Sequence, residues 1–145
     1  MVDLLQTAID LAHQAHAGQV DKAEQPYISH PLRVMQQLST TSDKIVGVLH
    51  DAVEDSELTL SDLRQAGFPD RIVAAIDAIT KREAEAYESY LQRVIANQIA
   101  LRVKIADMTD NMDLSRIAAP TAQDRARLQK YERVLPQLKQ ILKES

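Results

Sequence analysis

The chain has 145 residues, a formal net charge of −4 and no cysteine. Its length supports one compact domain with a hydrophobic core, so we expect a single domain over residues 1–145. The acidic balance argues against nonspecific binding to nucleic acid, and the absence of cysteine excludes disulfides, cysteine-ligated zinc and thiol catalysis. Any metal site must therefore use nitrogen and oxygen ligands.

Helical periodicity runs along nearly the whole sequence. Apolar residues recur every three or four positions over residues 4–15, 45–52, 72–79, 87–95, 101–112 and 128–142. Residues 18–29 form the least helical segment, and a short helix is expected after His30. Thr121 and Asp124 have the spacing of a helix start, whereas Pro136 should kink or break the helix that follows. Because no segment alternates like a strand, the sequence predicts an all-α fold.

The N-terminal segment predicts no export signal. It carries Asp3 and lacks a basic n-region, and no apolar run reaches the roughly 18 residues that a membrane span requires. We therefore expect a cytoplasmic protein without a membrane partner, and the sequence leaves the oligomeric state open.

The run His50-Asp51-Ala52-Val53-Glu54-Asp55 concentrates charge beside an apolar stripe. If the run continues the helix, its four polar side chains share one face, because successive residues are separated by about 100°. Burying such a cluster is costly unless a cation balances it, so a divalent metal is one explanation. Taken alone, the run is explained equally well by a solvated acidic helix end.

Further ligands for a metal would come from distant parts of the chain. His30 is one candidate, and Asp107, with Asn111 one helical turn further, is the other. Taken singly, His30 is more often a turn or buried residue, and Asp107 more often a surface charge. Together with His50 and Asp51 they supply two imidazoles and two carboxylates, a set that suits a first-row divalent ion with open positions.

Several short motifs occur in an order that resembles the hydrolase domain of the Rel/SpoT proteins. The matching segments are Ala15-His16-Ala17-Gly18-Gln19, Pro26-Tyr27-Ile28-Ser29-His30-Pro31, Leu49-His50-Asp51 with Glu54-Asp55, Thr80-Lys81, and Lys104-Ile105-Ala106-Asp107 with Asn111. The resemblance covers about residues 12–111. With this length and no synthetase domain, the chain is similar to a stand-alone small alarmone hydrolase.

The resemblance implies an HD-domain helical bundle that binds Mn²⁺ or another first-row divalent ion. It also implies hydrolysis of the 3′-pyrophosphate of guanosine tetraphosphate or pentaphosphate (ppGpp or pppGpp), which gives GDP or GTP and pyrophosphate. The family's metal ligands fall on His30, His50, Asp51 and Asp107. Its acidic pair, which positions or activates the attacking water, falls on Glu54 and Asp55, and the asparagine near the substrate ribose falls on Asn111.

The remaining candidate residues concern the bound nucleotide. Lys22, Lys81 and Lys104 are candidates to neutralise the phosphate charge. Taken singly, each of them is more often a solvated surface lysine. Tyr27 either stacks on a base or closes the core behind His30. His13 and His16 are interpreted as packing or surface residues.

The chain departs from the family near the nucleobase. Asp21 stands where a basic residue usually lies, Met108 replaces an Arg or Lys, and Leu114 replaces a frequent Thr. These changes spare the metal ligands and predict weak discrimination between bases. Two rival functions follow: a phosphatase for another nucleotide, such as the 2′-phosphate of NADPH, and a noncatalytic nucleotide sensor, which the intact ligand set and Glu54 disfavour.

Overall fold

The computed structural model describes residues 3–145 and confirms the predicted all-α fold. The helices are α1 (Leu4–Ala15), α2 (Ser29–Gln36), α3 (Thr41–Leu49), α4 (Ala52–Asp55), α5 (Leu60–Gln65), α6 (Asp70–Ile79), α7 (Tyr87–Ile95), α8 (Gln98–Asn111) and α9 (Ala122–Lys143). A short 3₁₀ helix, Leu114–Arg116, follows α8. Within residues 3–145 the only β pairing is an isolated bridge between Val20 and Pro26, and none of the helices combines the length and apolar character of a bilayer span.

Helix α8 lies at the centre of the fold and contacts α2, α3, α6, α7 and α9. One apolar core, built by α1 to α8, contains Ala100 and Val103 of this helix. A second core joins Leu101 and Met108 of α8 to Leu135 of α9. Because α8 is enclosed by its neighbours, the charged side chains that it carries are removed from water and need partners inside the protein.

The helix predicted to run through His50 and Asp51 is interrupted there. Helix α3 ends at Leu49, the backbone turns at Asp51 (φ −102°, ψ −9°), and the short α4 begins at Ala52. The Nδ1–H of His50 donates to the carbonyl oxygen of Gly47 (2.6 Å), which stabilises the end of α3. The expectation that one helix face carries the whole acidic run is therefore wrong. The junction instead brings the successive side chains of His50 and Asp51 to within 3.1 Å of each other.

Helix α9 continues through Pro136, so the predicted break is wrong. A capping box pairs Thr121 with Asp124 at its start, as their spacing predicts. Leu135 and Leu138, on either side of the proline, pack into the core on α8. Tertiary packing therefore outweighs the ~3 kcal/mol that a proline in a helix interior typically costs.

The carboxylate of Asp124 connects the start of α9 to the loop before α2. It accepts a hydrogen bond from the backbone N–H of Thr121 (2.9 Å) and pairs with Lys22 and Arg127. The hydrogen bond from Lys22 is the main cause that lowers the pKa of Asp124 to about 2. A depressed pKa contributes stability that is present above the ordinary pKa of the carboxyl and is lost as pH falls through the folded value.

We therefore expect the melting temperature to decrease between about pH 4 and about pH 2, and to decrease less in Asp124→Asn. Thermal unfolding followed by circular dichroism across this range measures the effect. Asp62→Asn is the control, because Asp62 belongs to the capping box of α5 but has no lysine or arginine within ion-pair distance in the described chain. Equal acid sensitivity of the wild type and Asp124→Asn would contradict this prediction.

Candidate metal centre

Three side chains from three helices converge at one buried point. His30 lies on α2, His50 at the end of α3 and Asp107 on α8, with one potential ligand atom of each within 4.8 Å of the others. Asp107 Oδ1 lies 2.9 Å from His30 Nε2 and 3.2 Å from His50 Nε2. The fold thus brings together residues that are 57 and 77 positions apart in the sequence.

Asp51 lies at the edge of the same cluster. Its Oδ2 is 3.1 Å from His50 Nε2 and 3.7 Å from His30 Nε2. The Asp51 side chain is 17% exposed, whereas those of His30, His50 and Asp107 are 6%, 2% and 8% exposed. Solvent therefore reaches the cluster from the Asp51 side. Two imidazole nitrogens and two carboxylates with one open side match the donor set of a first-row divalent ion.

A buried lysine balances the carboxylates of the cluster. Lys104 Nζ donates to Asp107 Oδ2 (3.1 Å). Burial alone would raise the pKa of Asp107, but the charges of Lys104 and His50 hold it well below its usual range. Burial lowers the pKa of His50, but the charges of Asp51 and Asp107 raise it well above its ordinary value. His50 Nε2 therefore faces both carboxylates at the point where a divalent cation would bind.

Each imidazole is oriented by a hydrogen bond from Nδ1, the ring nitrogen that faces away from the cluster. His50 Nδ1–H donates to the Gly47 carbonyl, and His30 Nδ1–H donates to Asp110 Oδ2 (2.6 Å), because an ionised carboxylate only accepts. The Nε2 atom of each ring consequently faces the cluster, as in carboxylate–histidine–metal arrangements. Asp110 is not among the residues predicted from the sequence, although its place three residues after Asp107 on the same helix face was a signal.

The acidic pair Glu54 and Asp55 lies at the exposed end of α4, within electrostatic reach of Asp51. Burial and then the charge of Asp51 raise the pKa of both carboxyl groups. Both carboxyl groups are therefore close enough to Asp51 for its charge to act on them.

Two of the predicted nucleotide-binding residues contact carboxylates of the cluster. The Tyr27 hydroxyl donates to Asp51 Oδ2 (2.6 Å), and Asn111 Nδ2 donates to Asp107 Oδ1 (3.0 Å). Burial and the charge of Asp51 raise the pKa of the Tyr27 hydroxyl, so it stays protonated and remains a donor. His16 packs against the ring of Tyr27, with 4.9 Å between ring centroids, in agreement with its predicted packing role.

The three predicted phosphate-binding lysines have different surroundings. Lys104 is buried and bonded to Asp107, whereas Lys22 pairs with Asp124 at the start of α9. Lys81 is half-buried, and its positive charge acts on Glu54. Among the described residues no carboxylate lies within ion-pair distance of Lys81, which leaves its ammonium group available to a phosphate.

A cavity of about 390 Å³ opens beside His30, between the loop that precedes α2 and the end of α8. Its wall carries four cationic side chains, those of Lys22, Arg33, Arg116 and Arg127. Lys22 and Arg127 share Asp124, Arg33 pairs with Asp110 and Arg116 pairs with Asp113. Asp21 adds another carboxylate to the wall. Because these charges are already balanced, the cavity suits a polar uncharged group, such as a base with its ribose, better than it suits a phosphate.

Asp21, which departs from the family pattern near the base, folds the loop at the mouth of this cavity. Its Oδ1 accepts hydrogen bonds from the backbone N–H groups of Ala23 (2.8 Å) and Gln25 (3.0 Å). Glu24, between them, has a φ of +61°, a left-handed conformation that residues other than glycine rarely adopt. The carboxylate of Asp21 therefore stabilises a strained turn.

Known proteins with similar sequences include enzymes of guanosine polyphosphate metabolism. No protein-family model matches the chain. The chain is 35% identical over 121 residues to a GTP pyrophosphokinase of Streptomyces coelicolor, a match that covers 74% of the chain and 14% of the relative. It is 28% identical over 118 residues to a guanosine-3′,5′-bis(diphosphate) 3′-pyrophosphohydrolase of Aquifex aeolicus, covering 75% of the chain and 17% of the relative. The chain thus spans less than a fifth of the length of these curated relatives.

A solved structure shares the fold over almost the whole chain. It is a metazoan SpoT orthologue that hydrolyses ppGpp, and it matches with a TM-score of 0.77 and 20% sequence identity. The match covers 99% of this chain and 94% of that chain. The resemblance that the motifs predict is therefore confirmed in sequence and in fold, and the chain is a Rel/SpoT-like helical domain.

Proposed function

We propose that the chain is a metal-dependent hydrolase that removes the 3′-pyrophosphate of ppGpp and pppGpp. The observation that carries this proposal is the convergence of His30, His50, Asp51 and Asp107 beside a cavity of a size suited to a nucleoside. The activities for which the A. aeolicus relative and the metazoan SpoT orthologue are named support the same substrate class.

The proposed metal site holds one Mn²⁺ ion between His30, His50, Asp51 and Asp107. When bound, the ion supplies a water molecule of lowered pKa and polarises a phosphoryl oxygen. Lys104 and Asn111 fix the orientation of the Asp107 carboxylate. Tyr27 does the same for Asp51.

Glu54 is the proposed acceptor of a proton from the attacking water. Its raised pKa brings the carboxyl closer to neutral pH, where a general base is most effective. The water oxygen bonds to the phosphorus attached to the 3′-oxygen, the bond between that phosphorus and the 3′-oxygen breaks, and the 3′-oxygen takes up a proton. GDP or GTP and pyrophosphate leave, while Asp55 is proposed to help orient the water.

The charges on the two sides of the cluster orient the proposed substrate. The balanced cavity would receive the base, and Asn111, which both lines that cavity and bonds to Asp107, would lie near the ribose. Lys81, whose charge acts on Glu54, would neutralise the pyrophosphate. The scissile phosphate would then lie over the cluster.

A hydrolysis assay with Mn²⁺ tests the proposal against its two rivals. Purified protein is incubated separately with ppGpp, pppGpp and NADPH, and the products are separated by anion-exchange chromatography. We expect GDP or GTP with pyrophosphate from the first two substrates, and loss of the reaction on chelation of the metal. Inorganic phosphate released from NADPH alone would favour the 2′-phosphatase, and binding of ppGpp without turnover would favour the sensor.

The loop formed by Asp21 gives a separate prediction. Asp21→Ala loses both hydrogen bonds to the loop backbone and is expected to raise KM for ppGpp, because the mouth of the cavity is no longer held in shape. Asp21→Asn is the matched control: it removes the charge but keeps an acceptor oxygen, so KM should stay near that of the wild type. Equal values for the wild type and Asp21→Ala would show that the turn has no part in binding.

A further inference from the structure

Asp110 is a buried carboxylate that contacts a proposed metal ligand and two arginines. Its side chain is 5% exposed. Oδ2 accepts from Nδ1–H of His30 (2.6 Å), and Arg33 bonds to both carboxylate oxygens through Nε (2.9 Å) and Nη2 (3.1 Å). Arg116 lies 3.4 Å from Oδ1 and donates to the backbone carbonyl of Asp110 (2.9 Å). One side chain of α8 is therefore connected to α2 and to the 3₁₀ helix.

The two proposed imidazole ligands differ in the group that accepts the hydrogen bond from Nδ1. His50 donates to the neutral carbonyl of Gly47, whereas His30 donates to the ionised carboxylate of Asp110. A charged acceptor makes a stronger hydrogen bond, raises the basicity of the opposite ring nitrogen and restricts rotation of the ring. His30 is thus the imidazole whose strength as a ligand depends on another side chain.

The arginines keep this carboxylate ionised and fixed in orientation. Arg33 follows His30 by three residues on α2, so both side chains reach Asp110 from one helix face. Bidentate pairing fixes the plane of the carboxylate, and the positive charge offsets the cost of removing the carboxylate from water. The hydrogen bond to His30 is consequently held in place from the side opposite the cluster.

We propose that Asp110 is a positioning residue that sets the affinity of the metal centre through His30. It orients the ring so that Nε2 points at the cluster, and it acts on the ion only through His30. The inference rests on the metal centre of the proposed function but is independent of which nucleotide is hydrolysed.

Calorimetric titration of the metal-free chain with Mn²⁺ alone tests the proposal without any substrate. Asp110→Asn keeps the volume of the side chain and removes its charge, and we expect it to weaken Mn²⁺ binding by about 10- to 100-fold. Arg33→Gln breaks the same ion pair but leaves the contact between Asp110 and His30, so it should weaken Mn²⁺ binding less than Asp110→Asn does. If Asp110→Asn does not fold, Asp110→Glu, which displaces the carboxylate by one methylene, should weaken binding in the same direction.

Asp43→Asn is a matched structural control. Asp43 is 3% exposed, and its carboxylate bonds to Arg102 through Nε (2.6 Å) and Nη2 (3.0 Å). This pair joins α3 to α8 as the pair of Asp110 and Arg33 joins α2 to α8, but Asp43 does not contact a proposed ligand. We expect Asp43→Asn to lower the melting temperature and to leave Mn²⁺ affinity unchanged.

The possible results separate the positioning role from general loosening of the fold. Wild-type affinity in Asp110→Asn overturns the proposal, and so does an equal loss of affinity in Asp43→Asn. If the wild type binds no divalent ion, the metal centre fails and this inference fails with it. If the wild type binds Mn²⁺ tightly, Asp110→Asn binds it weakly and ppGpp is not hydrolysed, the inference stands and only the proposed substrate is wrong.

Discussion

Replacing Asp107 with alanine is expected to remove metal binding and to reduce turnover by more than about 100-fold. Loss of an outer partner of a metal ligand already costs about 10- to 100-fold, so loss of a ligand should cost more. Asp107 Oδ1 faces both imidazoles, and its Oδ2 accepts from Lys104. The substitution leaves Lys104 buried without its counter-charge, a change that typically costs about 3–5 kcal/mol, so the melting temperature should fall as well.

His50→Ala is the companion variant, because it removes a ligand while Lys104 keeps its bond to Asp107. Elemental analysis after desalting measures the metal content of both variants, and thermal unfolding measures their stability. We expect both to lose the metal. Metal contents equal to that of the wild type in both variants would refute the assigned ligands.

Glu54→Gln is expected to lower turnover by about 10²-fold or more while the metal stays bound. Glu54 is exposed on α4, and the charge of Asp51 acts on its carboxyl group, so we propose that this carboxylate serves the attacking water. Glutamine keeps the shape of the side chain but cannot accept the proton. Steady-state kinetics together with metal analysis would therefore show reduced kcat at unchanged metal content.

Glu57→Gln is the control for this substitution. Glu57 is an exposed glutamate three residues further along the chain, outside the cluster, and its replacement should leave kcat unchanged. If Glu54→Gln turns over as fast as the wild type, Glu54 is a structural acid, and another group must accept the proton.

Much of the helical framework could be predicted from local sequence alone. The apolar periodicity identifies helices such as α1 and α6 because they bury one side, and the capping box of Thr121 and Asp124 marks the start of α9. The same kind of signal, Thr59 with Asp62, marks α5, which the apolar pattern did not reveal. The order of the motifs also indicated that His30 and Asp107 approach each other, although no local rule places them in contact.

Features decided by tertiary contacts were not accessible from the sequence. The break between α3 and α4 depends on where His50 points, and the continuity of α9 through Pro136 depends on packing against α8. The burial of Lys104 and the contact between Asp110 and His30 both follow from the enclosure of α8 by its neighbours. Sequence periodicity shows which residues share a helix face, but it does not show which charged side chains that face buries together.

The convergence of three helices on one proposed metal site has a consequence for the stability of the fold. The chain contains no cysteine, so a metal held by His30, His50 and Asp107 would be its cross-link between distant segments. Such a link shifts the folding equilibrium because the ion binds the assembled ligands and not the separated ones. Each tenfold rise in free metal above the dissociation constant adds about 1.4 kcal/mol to the free energy of unfolding. The concentration of free metal would then set the stability of the folded protein as well as its rate of hydrolysis.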